Sequence, residues 1–182
     1  VGGGLYVGQY ATATVSGTTF TGNTASLGGG IATAKIENKS YKTLLTVNSA
    51  VINGNTATSN ALASGIYNEG CDLEMGGSSV NITDNIYLND KAYPITLTGS
   101  MRTGRVYNIA LNVLSFKGGD VVVKPSRYPS NARTCSSWPP VGGADNAAGT
   151  NPRMPTRRNT TPNTNATALT ITVSFEPAQS TC

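Results

Sequence analysis

The feature that most constrains the fold is a repeat of about 30 residues in the first half of the chain. Three short segments align without gaps, reading Thr-Phe-Thr-Gly-Asn-Thr-Ala, Val-Ile-Asn-Gly-Asn-Thr-Ala and Asn-Ile-Thr-Asp-Asn-Ile-Tyr. Each carries an apolar anchor, and the anchors, 32 and 30 residues apart, are Phe20, Ile52 and Ile82. An asparagine three residues later keeps the same two intervals, at Asn23, Asn55 and Asn85.

A period of this length, with several short strand-like runs in each repeat, is typical of a β-solenoid. Stacked strands lie about 4.8 Å apart, so residues one period apart come into contact. We therefore expect an all-β chain with about three parallel coils over residues 1–92. The three apolar anchors would form a column of the core, and the three asparagines a structural ladder of stacked amides. A β-sandwich with Thr-rich strands is the alternative, and the matched triplets favour the solenoid.

A second, glycine-rich element alternates with the first. It reads Gly-Gly-Gly-Leu-Tyr at 2–6, Gly-Gly-Gly-Ile-Ala at 28–32 and Ser-Gly-Ile-Tyr-Asn at 64–68. This alternation resembles the repeats of polymorphic outer-membrane proteins and of adhesin-like right-handed parallel β-helix proteins. The resemblance covers residues 2–89, about half of the chain, and this chain is much shorter than those proteins. It implies a short right-handed parallel β-helix in an extracellular surface protein, without catalytic residues.

The pattern changes after residue 92. Residues 93–124 contain longer strand-like runs separated by glycines, which predict a small β-cap over the last coil. Residues 125–168 hold seven of the nine prolines, and residues 124–168 carry six Lys and Arg against one Asp. We expect residues 125–182 to form an extended basic segment that ends in a β-strand.

That final strand alternates cleanly, which predicts one half-buried face. The residues on this face are Leu169, Ile171, Val173 and Phe175. Its partner is either a strand of the same chain or, by strand addition, a neighbouring subunit. The sequence leaves both possibilities open.

The chain has three cysteines, Cys71, Cys135 and Cys182, so at least one thiol stays unpaired within a monomer. A Cys135–Cys182 bridge is the favoured pairing, and its loop of roughly 48 residues would add about 4 kcal/mol of stability. Glycosylation sequons in predicted loops occur at Asn38, Asn159 and Asn165.

Enzymatic chemistry has little support in this composition. Histidine is absent, which removes His-based triads and His–metal sites, and only five Asp and four Glu are present. Two acidic pairs could each share a face, Asp72 with Glu74 and Asp84 with Asp90, but they fit solvated surface positions better than a catalytic dyad. We therefore predict no catalytic residue, metal site or cofactor, and a polysaccharide-cleaving enzyme is disfavoured.

The expected partners follow from charge and from the repeat. The Arg-rich stretch at 153–158 lacks interleaved aromatic residues, which argues against nucleic acid. No apolar run approaches the roughly 20 residues that span a bilayer. A first coil that begins directly at a repeat element leaves an open edge, and head-to-tail contacts that do not close build filaments.

We therefore predict a secreted structural subunit that self-assembles into an extracellular filament or surface layer. The alternative is a monomeric adhesin or carbohydrate-binding module that binds cell-surface glycans through the basic segment.

Overall fold

A computed structural model describes residues 1–38, 40–101, 104–126 and 168–174. Within these ranges the regular structure is almost entirely β, with sixteen strands and one three-residue 3₁₀ helix at Ala61–Ala63, which confirms the all-β class. The strands in chain order are β1 (Leu5–Val7), β2 (Thr12–Ser16), β3 (Thr19–Thr21), β4 (Thr24–Ala25), β5 (Ile31–Thr33), β6 (Leu44–Asn48), β7 (Val51–Asn53), β8 (Thr56–Ala57), β9 (Ile66–Asn68), β10 (Asp72–Gly77), β11 (Asn81–Ile82), β12 (Ile86–Leu88), β13 (Ile95–Met101), β14 (Val106–Asn112), β15 (Val123–Pro125) and β16 (Ala168–Ser174).

The strands form sheets that the chain visits in rotation. Sheet A has the order β1-β5-β9-β12-β14-β16, sheet B is β2-β6-β10-β13-β15, sheet C is β3-β7-β11, and β4 pairs with β8 in sheet D. All of these pairs are parallel except β14 with β16. The chain therefore returns to each sheet one repeat later, and β1 to β4 lie at one end of the four sheets.

Parallel register aligns residues of the same kind into columns. Phe20 lies opposite Ile52, and Ile52 lies opposite Ile82, so the three predicted core residues share one register in sheet C. All three are buried. In sheet A four buried isoleucines occupy successive strands at one position, namely Ile31, Ile66, Ile86 and Ile109. These columns are the apolar core between the sheets.

The glycine directly before each of the strands β1, β5 and β9 of sheet A is required by the close approach of the neighbouring chain. A Cβ added at Gly4 would lie 2.9 Å from the carbonyl oxygen of Gly30. One added at Gly30 would lie 2.8 Å from the carbonyl oxygen of Gly65, and Gly65 meets the next strand in the same way. No real Cβ tolerates these distances, so the recurring glycine of the second repeat element is a packing requirement.

The central strands of sheet A, β5, β9 and β12, are buried on both faces, which their sequence alternation does not predict. Its outer face carries the stacked rings of Tyr67 and Tyr87, whose centroids are 5.7 Å apart. A second apolar cluster packs on this face, and its buried members are Ala32, Ala57, Ala63, Tyr67, Tyr87 and Ala110. Parallel sheets are commonly covered on both faces, and here the cover comes from the segment around the 3₁₀ helix.

Residues 93–124 continue the sheets of the repeat region. Strand β13 pairs parallel with β10 in sheet B, and β14 pairs parallel with β12 in sheet A. Strand β16 then pairs antiparallel with β14 of the same chain. The predicted contact strand therefore has a partner in its own chain, and the intramolecular option is the one observed.

In β16, Leu169, Ile171 and Val173 lie opposite Leu111, Ile109 and Tyr107, and Val173 is buried. Phe175 and the predicted extended segment at 127–167 lie outside the described residues.

Truncating the central residue of the sheet C column tests this core. Ile52 is fully buried, so Ile52→Ala should lower the free energy of unfolding by about 2–5 kcal/mol through lost burial and a cavity. Thr19→Ala, at an exposed position of the same sheet, should change it by less than about 0.5 kcal/mol. Urea denaturation followed by circular dichroism measures both, and equal losses would contradict the assigned register.

Candidate functional site

A ladder of polar side chains connects the repeats at the end of sheet C. The Oδ1 atom of Asn55 accepts hydrogen bonds from the backbone N–H and the Nδ2 of Asn23, at 3.0 and 2.9 Å. Its Nδ2 donates to the Phe20 carbonyl oxygen at 2.9 Å and to Asp84 Oδ2 at 2.8 Å. Because Asn55 is only 6% exposed, these bonds satisfy groups that water does not reach.

The third rung of the ladder is Asp84, one residue before the predicted Asn85. The Asp84 carboxylate accepts from the backbone N–H groups of Gly54 and Asn55, at 2.8 and 2.9 Å. Asn85 instead uses its backbone, accepting from Gly65 and Ile66 at the start of β9. A carboxylate fits the rung better because it offers an oxygen to each donor, which corrects the prediction at this position.

The strands β1 to β4 form an edge whose outward backbone groups have no partner strand in the described part of the chain. We call these four strands the open edge. In β1 the N–H of Leu5 donates to Gly30, and the carbonyl of Val7 accepts from Ala34. Strand alternation therefore turns the N–H and C=O of Tyr6 away from the sheet, and its side chain is 51% exposed.

The composition of the open edge is unusual for an exposed sheet edge. Residues 1–34 contain no Asp, Glu, Lys, Arg or Pro. Proteins normally place charges or prolines on edge strands to prevent pairing with another chain. At the opposite end, β15 carries Lys124 and Pro125, whereas β16 reads Ala-Leu-Thr-Ile-Thr-Val-Ser and has neither.

The connections that lead from strands of sheet A into sheet B lie on one side of the molecule. We call this side the A–B corner, and its described residues are 8–11, 34–38, 40–43, 69–71, 89–94 and 113–122. Large hydrophobic side chains that are exposed in the described residues concentrate there, five of eight, and those five are Tyr10, Tyr41, Val113, Leu114 and Val121. Insertions on one face of a repeat fold commonly carry its binding function.

A cleft of about 410 Å³ opens at this corner. Its lining residues are Lys35, Ile36, Glu37, Asp90, Ala92 and Tyr93. Asp90 shapes its own loop, because its Oδ1 accepts from the Ala92 N–H at 2.9 Å and its carbonyl accepts from the Tyr93 N–H at 3.1 Å. Burial, together with the negative charges of Asp90 and Asp72, raises the pKa of the Tyr93 phenol above its ordinary value.

Asn68, which our sequence reasoning did not single out, holds the short connection at Gly70 and Cys71 in place. Its Oδ1 accepts from Thr33 Oγ1 and from the N–H groups of Gly70 and Cys71, at 2.9 to 3.1 Å. Its Nδ2 donates to the Cys71 carbonyl at 3.0 Å. The feature that could have identified Asn68 is its register, because it lies opposite the buried Leu88 of the next strand and so occupies a core position.

Cys71 is a free and fully buried thiol. Burial, with a smaller effect of the Asp72 charge, raises the pKa of this thiol from 9.0 to about 11. Cys135 and Cys182, the predicted bridge, lie outside the described residues. Asn159 and Asn165 do as well, whereas Asn38 is exposed in a turn where its Oδ1 accepts from the Ser40 N–H.

Like Asp84 and Asp90, the other two acidic residues considered above have structural partners. Asp72 pairs with Lys42 at 3.6 Å, and Glu74 accepts from Thr46 Oγ1 at 3.5 Å. In the described ranges, no three metal-ligating side chains come together. Nor does this part of the chain contain a helix of the length and hydropathy needed to cross a bilayer. Comparisons of the chain with protein families, with curated proteins and with solved structures give no significant match.

The corrected ladder predicts different effects for two nearby asparagines. Asn55→Ala leaves buried groups of Asn23, Phe20 and Asp84 without partners, so the free energy of unfolding should fall by about 2–4 kcal/mol. Asn85→Ala should cost less than about 1 kcal/mol, because its side chain takes no part in the ladder. Chemical denaturation measures the free energy of unfolding of both variants. A larger loss of stability for Asn85→Ala than for Asn55→Ala would restore Asn85 as the third member of the ladder.

The buried thiol predicts a loss of stability in alkali. Between pH 9 and about 11 the unfolded chain releases the Cys71 proton while the folded chain keeps it, so the free energy of unfolding falls as pH rises. The pKa of Tyr67 is raised by burial to about 12, which adds to the same trend at higher pH. Cys71→Ala should show a shallower decline than the wild type between pH 9 and 11, and identical slopes would exclude this contribution.

Proposed function

We propose that this chain is a secreted structural subunit that assembles head-to-tail into an extracellular filament or surface layer. The observation that carries the proposal is the pair of strands at the two ends of sheet A. Strands β1 and β16 are both uncharged, and each has a free backbone edge within the described residues. Such edges are templates for pairing with another chain.

We also propose that the repeats form a short right-handed parallel β-helix of about three coils, as the sequence resemblance implies. The rotation of the chain through sheets A, B and C supports this architecture. So does the in-register alignment of Phe20, Ile52 and Ile82 over successive repeats. A solenoid of this kind leaves one set of strands exposed at each end, whereas a closed barrel leaves none.

The near end of the subunit is the open edge, and its sequence favours association. The absence of charge and proline from residues 1–34 removes the usual barriers to strand addition. Its outward groups include the N–H and C=O of Tyr6, which point away from sheet A. A second copy of the chain supplies the missing partner strand.

The far end offers that partner in sheet A. Strand β16 has seven residues, ample to cover the three residues of β1. Lys124 and Pro125 protect the far edge of sheet B, so we place the contact on sheet A. The two ends differ in sequence, so the contact joins the near end of one copy to the far end of another. Each of the two copies then keeps one free end, and further copies add to these ends to form an open filament.

The extracellular location rests on two points. The first is the resemblance of residues 2–89 to repeats of surface proteins. The second is Asn38, an exposed sequon residue in a turn, which a glycosylating host can modify.

Two substitutions at one position test the assembly. Tyr6→Pro removes the outward N–H of β1 without removing a hydrogen bond to β5, and should abolish filaments in negative-stain electron microscopy. Tyr6→Thr keeps the N–H but removes the ring, and should still form filaments. Loss of assembly in both variants would assign the contact to the ring instead of the backbone edge.

The direction of assembly has a separate test. Thr170→Lys places a charge on β16 and should block the far end. Sedimentation of an equimolar mixture with Tyr6→Pro should then give dimers that do not extend, while each variant alone stays monomeric. Dimers of Thr170→Lys alone would indicate contact between two near ends and overturn the head-to-tail arrangement. A wild-type chain that stays monomeric at millimolar concentration would overturn self-assembly itself.

A further inference from the structure

We propose that the cleft at the A–B corner binds a sugar ring that is uncharged or carries an amine. This site is formed by Lys35, Glu37, Asp90 and Tyr93, none of which belongs to the basic sequence segment that was suggested for glycan binding. The inference does not depend on the proposed assembly, because the open edge and the cleft use different residues.

The size of the cleft suits a ligand of this kind. Its volume of about 410 Å³ lies within the range of roughly 300–1,000 Å³ that small-molecule sites occupy. The cleft is open and mixed in character, and of its two large apolar lining residues Ile36 is buried in the core while Tyr93 is partly exposed. A sugar ring presents the complementary pattern, with C–H groups on its faces and hydroxyl groups around its rim.

The polar side chains of the cleft are free to bind such hydroxyl groups. The side chains of Lys35 and Glu37 form no hydrogen bond or ion pair with any other described residue. Asp90 uses Oδ1 for its own loop and leaves Oδ2 available. The two carboxylates accept hydrogen bonds from hydroxyl or ammonium groups, Lys35 donates to ring or hydroxyl oxygens, and the Tyr93 ring packs against C–H groups.

The backbone at Gly70 brings three lining residues close together. A Cβ added at Gly70 would lie 3.3 Å from Lys35 Cγ, 3.5 Å from Tyr93 Cδ2 and 3.6 Å from Asp90 Cβ. These three residues therefore surround Gly70 at contact distance. Gly70 is fixed on both sides, because its N–H donates to Asn68 and its carbonyl accepts from the Ile36 N–H at 2.9 Å.

The charge of the site selects against acidic sugars. Glu37 and Asp90 outweigh the single cation Lys35 in the lining. Among the other described lysines near the cleft, Lys42 and Lys91 pair with Asp72 and Asp120. Hexuronates and sulfated sugars would bring a negative charge to a site that already has an excess of it.

A titration of the full-length chain with three oligosaccharides of equal length tests the proposal. The ligands are oligomers of glucosamine, glucose and a hexuronate, and binding is followed by NMR chemical shifts and calorimetry. A single ring held in an open cleft should bind with a dissociation constant of about a millimolar. The glucosamine or glucose oligomer should bind about tenfold more tightly than the hexuronate oligomer.

Variants at the same corner locate the binding site. Tyr93→Ala and Glu37→Gln should each weaken binding about tenfold, the effect of one lost ring contact or charge-assisted hydrogen bond. Tyr41→Ala is the matched control, because this exposed tyrosine lies on the same corner outside the cleft lining and should bind as the wild type does.

Three results would overturn the proposal. They are no saturable binding of any oligomer, tightest binding of the hexuronate, and a loss on Tyr41→Ala with none on Glu37→Gln. If Tyr93→Ala fails to fold, the exposed Glu37→Gln variant still decides.

Discussion

The structure depends on one constraint, which is that the chain comes back within hydrogen-bonding distance of itself, in parallel register, at each repeat. Every core column follows from it, because residues one repeat apart are forced into contact. The glycines at positions 4, 30 and 65 make the return possible, since a Cβ there would overlap the next strand. The Asn55 amide then joins three repeats with its hydrogen bonds. Fold and register thus combine close backbone approach at these glycines with the buried side-chain columns between the sheets.

Features with a strict period could be predicted from the sequence, and features made by irregular segments could not. Phe20, Ile52 and Ile82 keep the period and share one register. Asp84 replaces Asn85 in the ladder because the chemistry of two backbone donors outweighs the spacing of the asparagines. The burial of the outer face of sheet A was also missed, because the covering segment around the 3₁₀ helix interrupts the repeat. For β16, alternation indicated a strand but could not identify its partner.

The cleft illustrates a second limit of sequence reasoning. Lys35 and Asp90 are far apart in the chain and belong to no recognisable motif, yet the parallel stacking brings their loops to one corner. The sheets therefore separate two properties of the molecule. We propose that backbone groups at the ends of the stack mediate association between copies and that side chains at the A–B corner bind small ligands. Either property can change in evolution without disturbing the other, because they share no residues.

The antiparallel closure of sheet A has a consequence for the order of folding. Contacts within the repeats join residues about 30 positions apart, whereas Thr172 meets Asn108 across 64 positions. The longer loop adds only about 0.6 kcal/mol of closure entropy, but non-local pairing of this kind slows folding. On the ribosome the parallel repeats are complete before residue 168 emerges, so β14 is synthesised well before its antiparallel partner. Of the described strands, the last to be synthesised is thus the one that covers the edge of β14.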